Sequence, residues 1–235
     1  MSRCGGMIEA MRVLLLSLAI ALGWAAPAPV AAALPPWEGG INLYESGIFS
    51  TQGTFLWCTA ANVQMMRNVV HGERDHSRAA QSRYFDWMRG RNRYSIPRAD
   101  GVDPQGWAAG LRRWVDDRYA VSSSTRFVTS LRAAVKSLRL TNRPVGLLVA
   151  RGGHAWILHG FTATADPAVT DAFRITSVRV TGPLWGLQSR TFGYDMRPNT
   201  RLTPAELARF WTPWHYAGVR MVWEGRFVAI QARPD

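Results

Sequence analysis

Two side chains in this sequence are of the types that run nucleophilic chemistry together: the thiol of Cys58 and the imidazole in Arg151-Gly152-Gly153-His154. A thiol attacks a carbonyl only as the thiolate, and a helix N-terminus favours that anion through its unpaired amides and its macrodipole. The spacing puts Cys58 at such a place. Ala61, Met65 and Val69 share one helical face with it, which predicts an amphipathic helix over 57–70 with the thiol in its first turn. His71-Gly72 ends that helix. Upstream lies Gln52, in a loop that Gly53 lets turn tightly. Its side-chain amide, with the Cys58 backbone N–H, could donate to the oxygen of a tetrahedral intermediate. The base should stand on a rigid element facing the helix. His154 opens an apolar stretch directly after two small residues that leave room for a substrate backbone. Cys58 as nucleophile, His154 as base and then acid, and Gln52 as oxyanion donor describe one acyl-transfer mechanism.

Each residue also has a plainer reading. A lone cysteine is most often a small buried hydrophobe, and a lone histidine a satisfied core residue. The remaining histidines offer less: His71 and His76 lie in a charged connection, His159 is inside the same stretch as His154, and His215 follows a Pro-Trp loop. None has metal-ligand spacing with the single thiol, which speaks against zinc.

The elements that must position these groups can be read from period and punctuation. Asp103-Pro104 is a helix cap with proline at the first position, followed by Trp107, Leu111, Trp114 and Val115 on one face. A third helix is expected from Thr125 to Arg139 with Val128, Leu131, Val135 and Leu138 inward, stopping before Asn142-Arg143-Pro144. After Pro144 the period changes. Val145 to Ala150, His154 to Phe161, Phe173 to Val180 and Met221 to Ile230 read as strands, interrupted by a short helix with the capping box Thr203 to Glu206. Helices first and a mostly antiparallel sheet later is the α+β class.

At 235 residues and 47% hydrophobic the chain suits a single folded domain. Arg3 and Arg12 precede an uncharged run from Val13 to Val30 that ends in Ala31, Ala32 and Ala33, which reads as a signal peptide over residues 1–33. Pro27, Pro29, Pro35 and Pro36 argue against the alternative, a retained membrane anchor. The mature domain is then 34–235, secreted or held in the cell envelope, and touches the membrane only through its leader. Cleavage removes Cys4 and leaves Cys58 unpaired in an oxidising compartment, a liability that a reactive role would justify. The net charge of +12 suits an anionic envelope polymer as partner. All but one of the basic residues are Arg, Lys136 being the exception, which reads as biased composition. The run from Arg74 to Arg98 mixes Arg with acids and aromatics and reads as a solvated helical face and loop, so no nucleic acid is expected.

These residues carry a resemblance. Gln52-Gly-Thr-Phe-Leu-Trp57-Cys58-Thr-Ala-Ala resembles the Gln-x5-Cys opening of papain-like cysteine peptidases. Gly152-Gly153-His154-Ala155-Trp156 through His159-Gly160-Phe161 is similar to the Gly-His strand of bacterial members related to double-glycine leader peptidases. The resemblance spans roughly residues 41–232. It implies a papain-like fold, a cysteine peptidase or related amide hydrolase acting on a peptide or protein, and no metal or organic cofactor.

One departure stands out. In those relatives an Asp or Asn, often followed by Pro, orients the histidine from the end of the next strand, and here that region reads Val180-Thr181-Gly182-Pro183-Leu184-Trp185. Asp166-Pro167 has the right letters, but it falls in the hairpin at the far end of the strand. At ~3.3 Å per residue it stands over about 20 Å from the imidazole. Thr181 or a backbone carbonyl then orients the ring, or the enzyme is weakened, or the site is inactive. An inactive papain-like module that binds peptides or wall polymer is therefore one alternative. A transglutaminase-like acyl transferase, suggested by His154-Ala155-Trp156 after an upstream helix cysteine, is another, and Gln52 counts against it.

Overall fold

The computed structural model describes residues 34–187 and 195–234, and the leader expected over 1–33 lies outside them. Strand β1 (Gly40–Asn42) is followed by helices α1 (Cys58–His71), α2 (Arg78–Arg89) and α3 (Pro104–Trp114). Then come β2 (Tyr119–Ser124), α4 (Phe127–Thr141), β3 (Val145–Val149), β4 (His154–Ala163) and β5 (Ile175–Thr181). The chain closes with β6 (Thr200–Leu202), α5 (Pro204–Leu207) and β7 (Phe227–Ala232). The class is α+β, with an antiparallel seven-stranded sheet in the order β2-β7-β3-β4-β5-β6; β1 pairs with β4. From Pro36 onward the chain forms one compact unit.

Both faces of the sheet are covered, which explains why β4 reads as a near-continuous apolar run rather than an alternating one. Ala155 and Ile157 join the core made with α1, α2 and α3, where Val63, Met66, Tyr84, Met88, Trp107 and Leu111 are buried. Trp156 and Leu158, on the opposite pleat, join Leu131, Val135 and Leu138 of α4. Caps fix the helix starts as their sequences demand. Asp103 Oδ1 accepts the Gly106 N–H at 2.8 Å, and Thr203 and Glu206 form the reciprocal box. Helix α1 ends at His71, with Gly72 left-handed.

The structure corrects several expectations. Strands are not confined to the second half, since β1 and β2 precede α4 and are too short or too polar for their period to stand out. Val128 is 61% exposed rather than inward, because in the first turn of α4 it borders an open groove beside Phe173 and Ile175. Extended pairing in the last strand begins only at Phe227. Met221 to Arg226 is folded into turns by the Glu224 and Arg226 amides, which donate to the Met221 and Trp223 carbonyls. The charged run from Arg74 to Arg98 contains α2, whose inner face buries Tyr84, Phe85 and Met88 while Arg98 and Asp86 pair outside. No helix among the described residues is long and apolar enough to cross a membrane.

Candidate active site

Cys58 is the first residue of α1, partly buried, and no side chain caps this helix. The first-turn amides therefore remain available to an anion or an oxyanion. The loop before α1 is tied down by α2. Gln81 of α2 accepts the Gly53 N–H at 2.8 Å and donates to the Thr51 carbonyl at 3.0 Å and to Gln64 of α1 at 2.8 Å. Arg78 donates to the Gly53 carbonyl and stacks over Trp57.

Gln52 is buried within this loop. Its Nε2 donates to the Thr54 carbonyl at 2.7 Å, the same carbonyl that accepts the Trp57 N–H at 3.1 Å, so its amide is anchored to the turn that opens α1. Its second Nε2 proton and its buried Oε1 have no partner among the described residues.

His154 opens β4, paired with Val149 across a tight hairpin. Only 5% exposed, it lies close enough to Cys58 for the thiol to act on its pKa, while its Nε2 lies 2.9 Å from Oδ2 of Asp195. Nε2 faces the carboxylate, so Nδ1 is the nitrogen left for the thiol. Burial pulls the imidazole pKa down, but the hydrogen bonds to Asp195 and to Cys58, and the charges of both, outweigh it and carry the value up to about 9. The raised value favours the protonated ring, the form that can partner a thiolate.

Asp195 is the member that sequence reading missed. Its Oδ1 accepts the Trp156 indole N–H at 2.7 Å, and its Oδ2 accepts the Leu184 N–H at 2.7 Å in addition to His154. His154 and Trp156 are two apart on one strand and present both donors to one carboxylate. Gly182 makes the approach possible, because a Cβ there would lie 2.3 Å from the Asp195 carboxyl carbon. The Gln52 loop docks on the same segment, the Gln52 backbone N–H donating to the Pro183 carbonyl at 2.9 Å. Thr181, the residue expected to orient the catalytic ring, serves a different histidine. Its hydroxyl lies 2.9 Å from His159 Nε2 and accepts the Asn199 N–H at 3.0 Å. Burial drives His159 down to about 3, so it is a neutral core group. Asp166 sits in the β4–β5 hairpin and pairs with Arg139 at 2.7 Å.

Cys58 and Thr59 open onto a cleft of about 220 Å³ between two walls. One wall is the helical side, with Phe55, Leu56, Ile96 and Asp100; the other is the Arg151–Gly153 turn with Trp214, Tyr216 and Met221. The room expected at Gly152 is already taken by the Trp214 ring, 2.3 Å from where a Cβ would be. Asp100 and Tyr216 reach across, with the phenol donating to the carboxylate at 2.6 Å. Comparison with protein-family models, with characterised proteins and with solved structures finds no match to this chain.

Proposed function

We propose that this protein is a papain-like thiol hydrolase, a cysteine peptidase or related amide hydrolase that works after export and loss of residues 1–33. The observation that carries the reading is the placement of His154 between Cys58 and Asp195, hydrogen-bonded to the carboxylate and beside a thiol that opens onto a cleft. The reading of an inactive module drew its support from a missing acid, and Asp195 removes that support.

In the reaction, the Cys58 thiolate attacks the acyl carbon and the carbonyl π electrons move to oxygen. The Cys58 N–H and the remaining Gln52 Nε2–H stabilise that oxyanion. As the tetrahedral species collapses, Nδ1–H of His154 protonates the departing amine and leaves a thioester on Cys58. Water then gives a proton to Nδ1 and attacks the thioester, and the thiolate leaves beside a regenerated imidazolium. Asp195 keeps the second proton on Nε2 and stabilises the charged ring throughout, and Trp156 and Leu184 hold that carboxylate in place.

Alkylation of the thiol tests this directly. Iodoacetamide should label Cys58 in the native protein at neutral pH faster than in the urea-unfolded chain, and His154→Ala should slow it. Equal rates in the native and unfolded chains would overturn the reading. Hydrolysis of a peptide library should disappear in Cys58→Ala. The N-terminus of the exported protein should be Leu34.

A further inference from the structure

We propose that Arg151 makes this cleft selective for acyl substrates carrying a carboxylate close to the scissile bond. The inference rests on the thiol-hydrolase reading and adds its substrate class. Arg151 lines the same cleft as Cys58. Ala150 and Arg151 have φ of 49° and 58°, a left-handed conformation that glycine adopts freely and any residue with a Cβ adopts at a cost. Two glycines follow immediately and line the cleft as well, so Arg151 is the residue of this turn that brings a side chain to it.

The backbone beneath that side chain is fixed. The Arg151 N–H donates to Thr212 Oγ1 at 2.9 Å, its carbonyl accepts the His215 N–H at 3.0 Å, and the Ala150 N–H donates to the Phe210 carbonyl at 2.8 Å. The guanidinium itself is exposed, and among the described residues no carboxylate pairs with it. Glu224 feels its charge but is occupied by His215 Nδ1 at 2.6 Å and by the Tyr216 N–H at 3.3 Å. Asp100, on the other wall, holds the Tyr216 hydroxyl. Around Arg151 the walls are largely apolar, with Phe55, Leu148, Trp214 and Met221. A guanidinium with no carboxylate partner, carried on a rigid turn that lines such a cleft, matches a carboxylate, to which its fork can donate twice.

Two alkylating reagents of one size separate the terms. Iodoacetate carries a carboxylate and iodoacetamide does not, so the ratio of their second-order rates at Cys58 reads the local preference for an anion. Arg151→Gln should lower that ratio about 10-fold, while Arg174→Gln, which removes the same charge at a different groove, should leave it in place. The full protein should cleave an amidated peptide series with Glu near the scissile bond about 10- to 100-fold faster than the Gln series. Arg151→Glu should invert the order in favour of Lys. If instead the Gln series is cut equally and a free C-terminal carboxylate brings the gain over its amide, the anion recognised is the chain end. An unchanged reagent ratio in Arg151→Gln, or wild-type indifference to both carboxylates, overturns the inference and leaves the thiol-hydrolase reading standing. Failure of both reagents to label native Cys58 removes the two together.

Discussion

Replacing Asp195 by Asn tests the central arrangement with little change in volume. The carboxylate accepts three N–H groups: Trp156 at Oδ1, and His154 and Leu184 at Oδ2. An asparagine keeps one oxygen. The cheaper orientation gives that oxygen to His154 and Leu184 and turns the amide NH2 toward the Trp156 N–H, so one buried donor is orphaned at a cost of about 1–3 kcal/mol of stability. The proton on His154 Nε2 stays where it is, so the ring keeps its tautomer. What disappears is the charge. Exchanging a charge-assisted bond for a neutral one takes about 1–2 kcal/mol from the imidazolium alone, which lowers the His154 pKa from its native value of about 9. Histidine resonances followed by NMR, with His154 identified by its absence in His154→Ala, should show this displacement. The pH profile of iodoacetamide labelling should move its upper inflection by the same amount, since both report the coupled pair. Hydrolysis at neutral pH should fall about 5- to 30-fold, and more in Asp195→Ala, where orientation is lost as well. An Asp195→Asn protein with a native circular dichroism spectrum and an unmoved His154 titration would refute the reasoning.

Other outcomes follow from the same geometry. If the proposed mechanism holds, Gln52→Ala should cut peptide hydrolysis by about 10²–10³ by removing an oxyanion donor, yet leave iodoacetamide labelling near wild type, because alkylation forms no oxyanion. Gly182→Ala should fold and still lose activity to the degree of Asp195→Ala, since its methyl occupies the place of the carboxyl group; wild-type turnover in this variant would show that the close approach is dispensable. Stability should depend on pH through His154. Its native value of about 9 exceeds the unfolded 6.5, so its contribution is complete below 6.5 and vanishes as pH rises through 9, an effect of at most about 3 kcal/mol. Urea midpoints should fall across that window in the wild type and be flatter in His154→Gln.

The parts of the site that were legible in the sequence are those built from local rules. A helix with its thiol in the first turn, a glutamine in the preceding loop and a histidine opening a strand each follow from spacing and capping within a few residues, and the structure places all three as read. The capped start of α3 and the box before α5 were legible for the same reason. Pairing between strands set the limits, because β1, β2 and β6 are short or polar and exist only through their partners.

Asp195 escaped for a related reason: it belongs to no regular element and reaches His154 from 41 residues away. The expectation of an acid at the end of the next strand placed the search at Thr181, whose hydroxyl is committed to His159. A signal was present nonetheless. Trp156 stands two residues after His154 on a strand buried on both faces, and a buried indole N–H calls for an acceptor on the same face as the imidazole. One carboxylate can serve both. Downstream of Thr181 the acids are Asp195, Glu206, Glu224 and the terminal Asp235, and Glu206 is claimed by its capping box. Glu224 binds His215 at the rim of the cleft. The demand of two neighbouring donors therefore points to a carboxylate outside the next strand, where the position of the acid in related sequences pointed to a segment that has none.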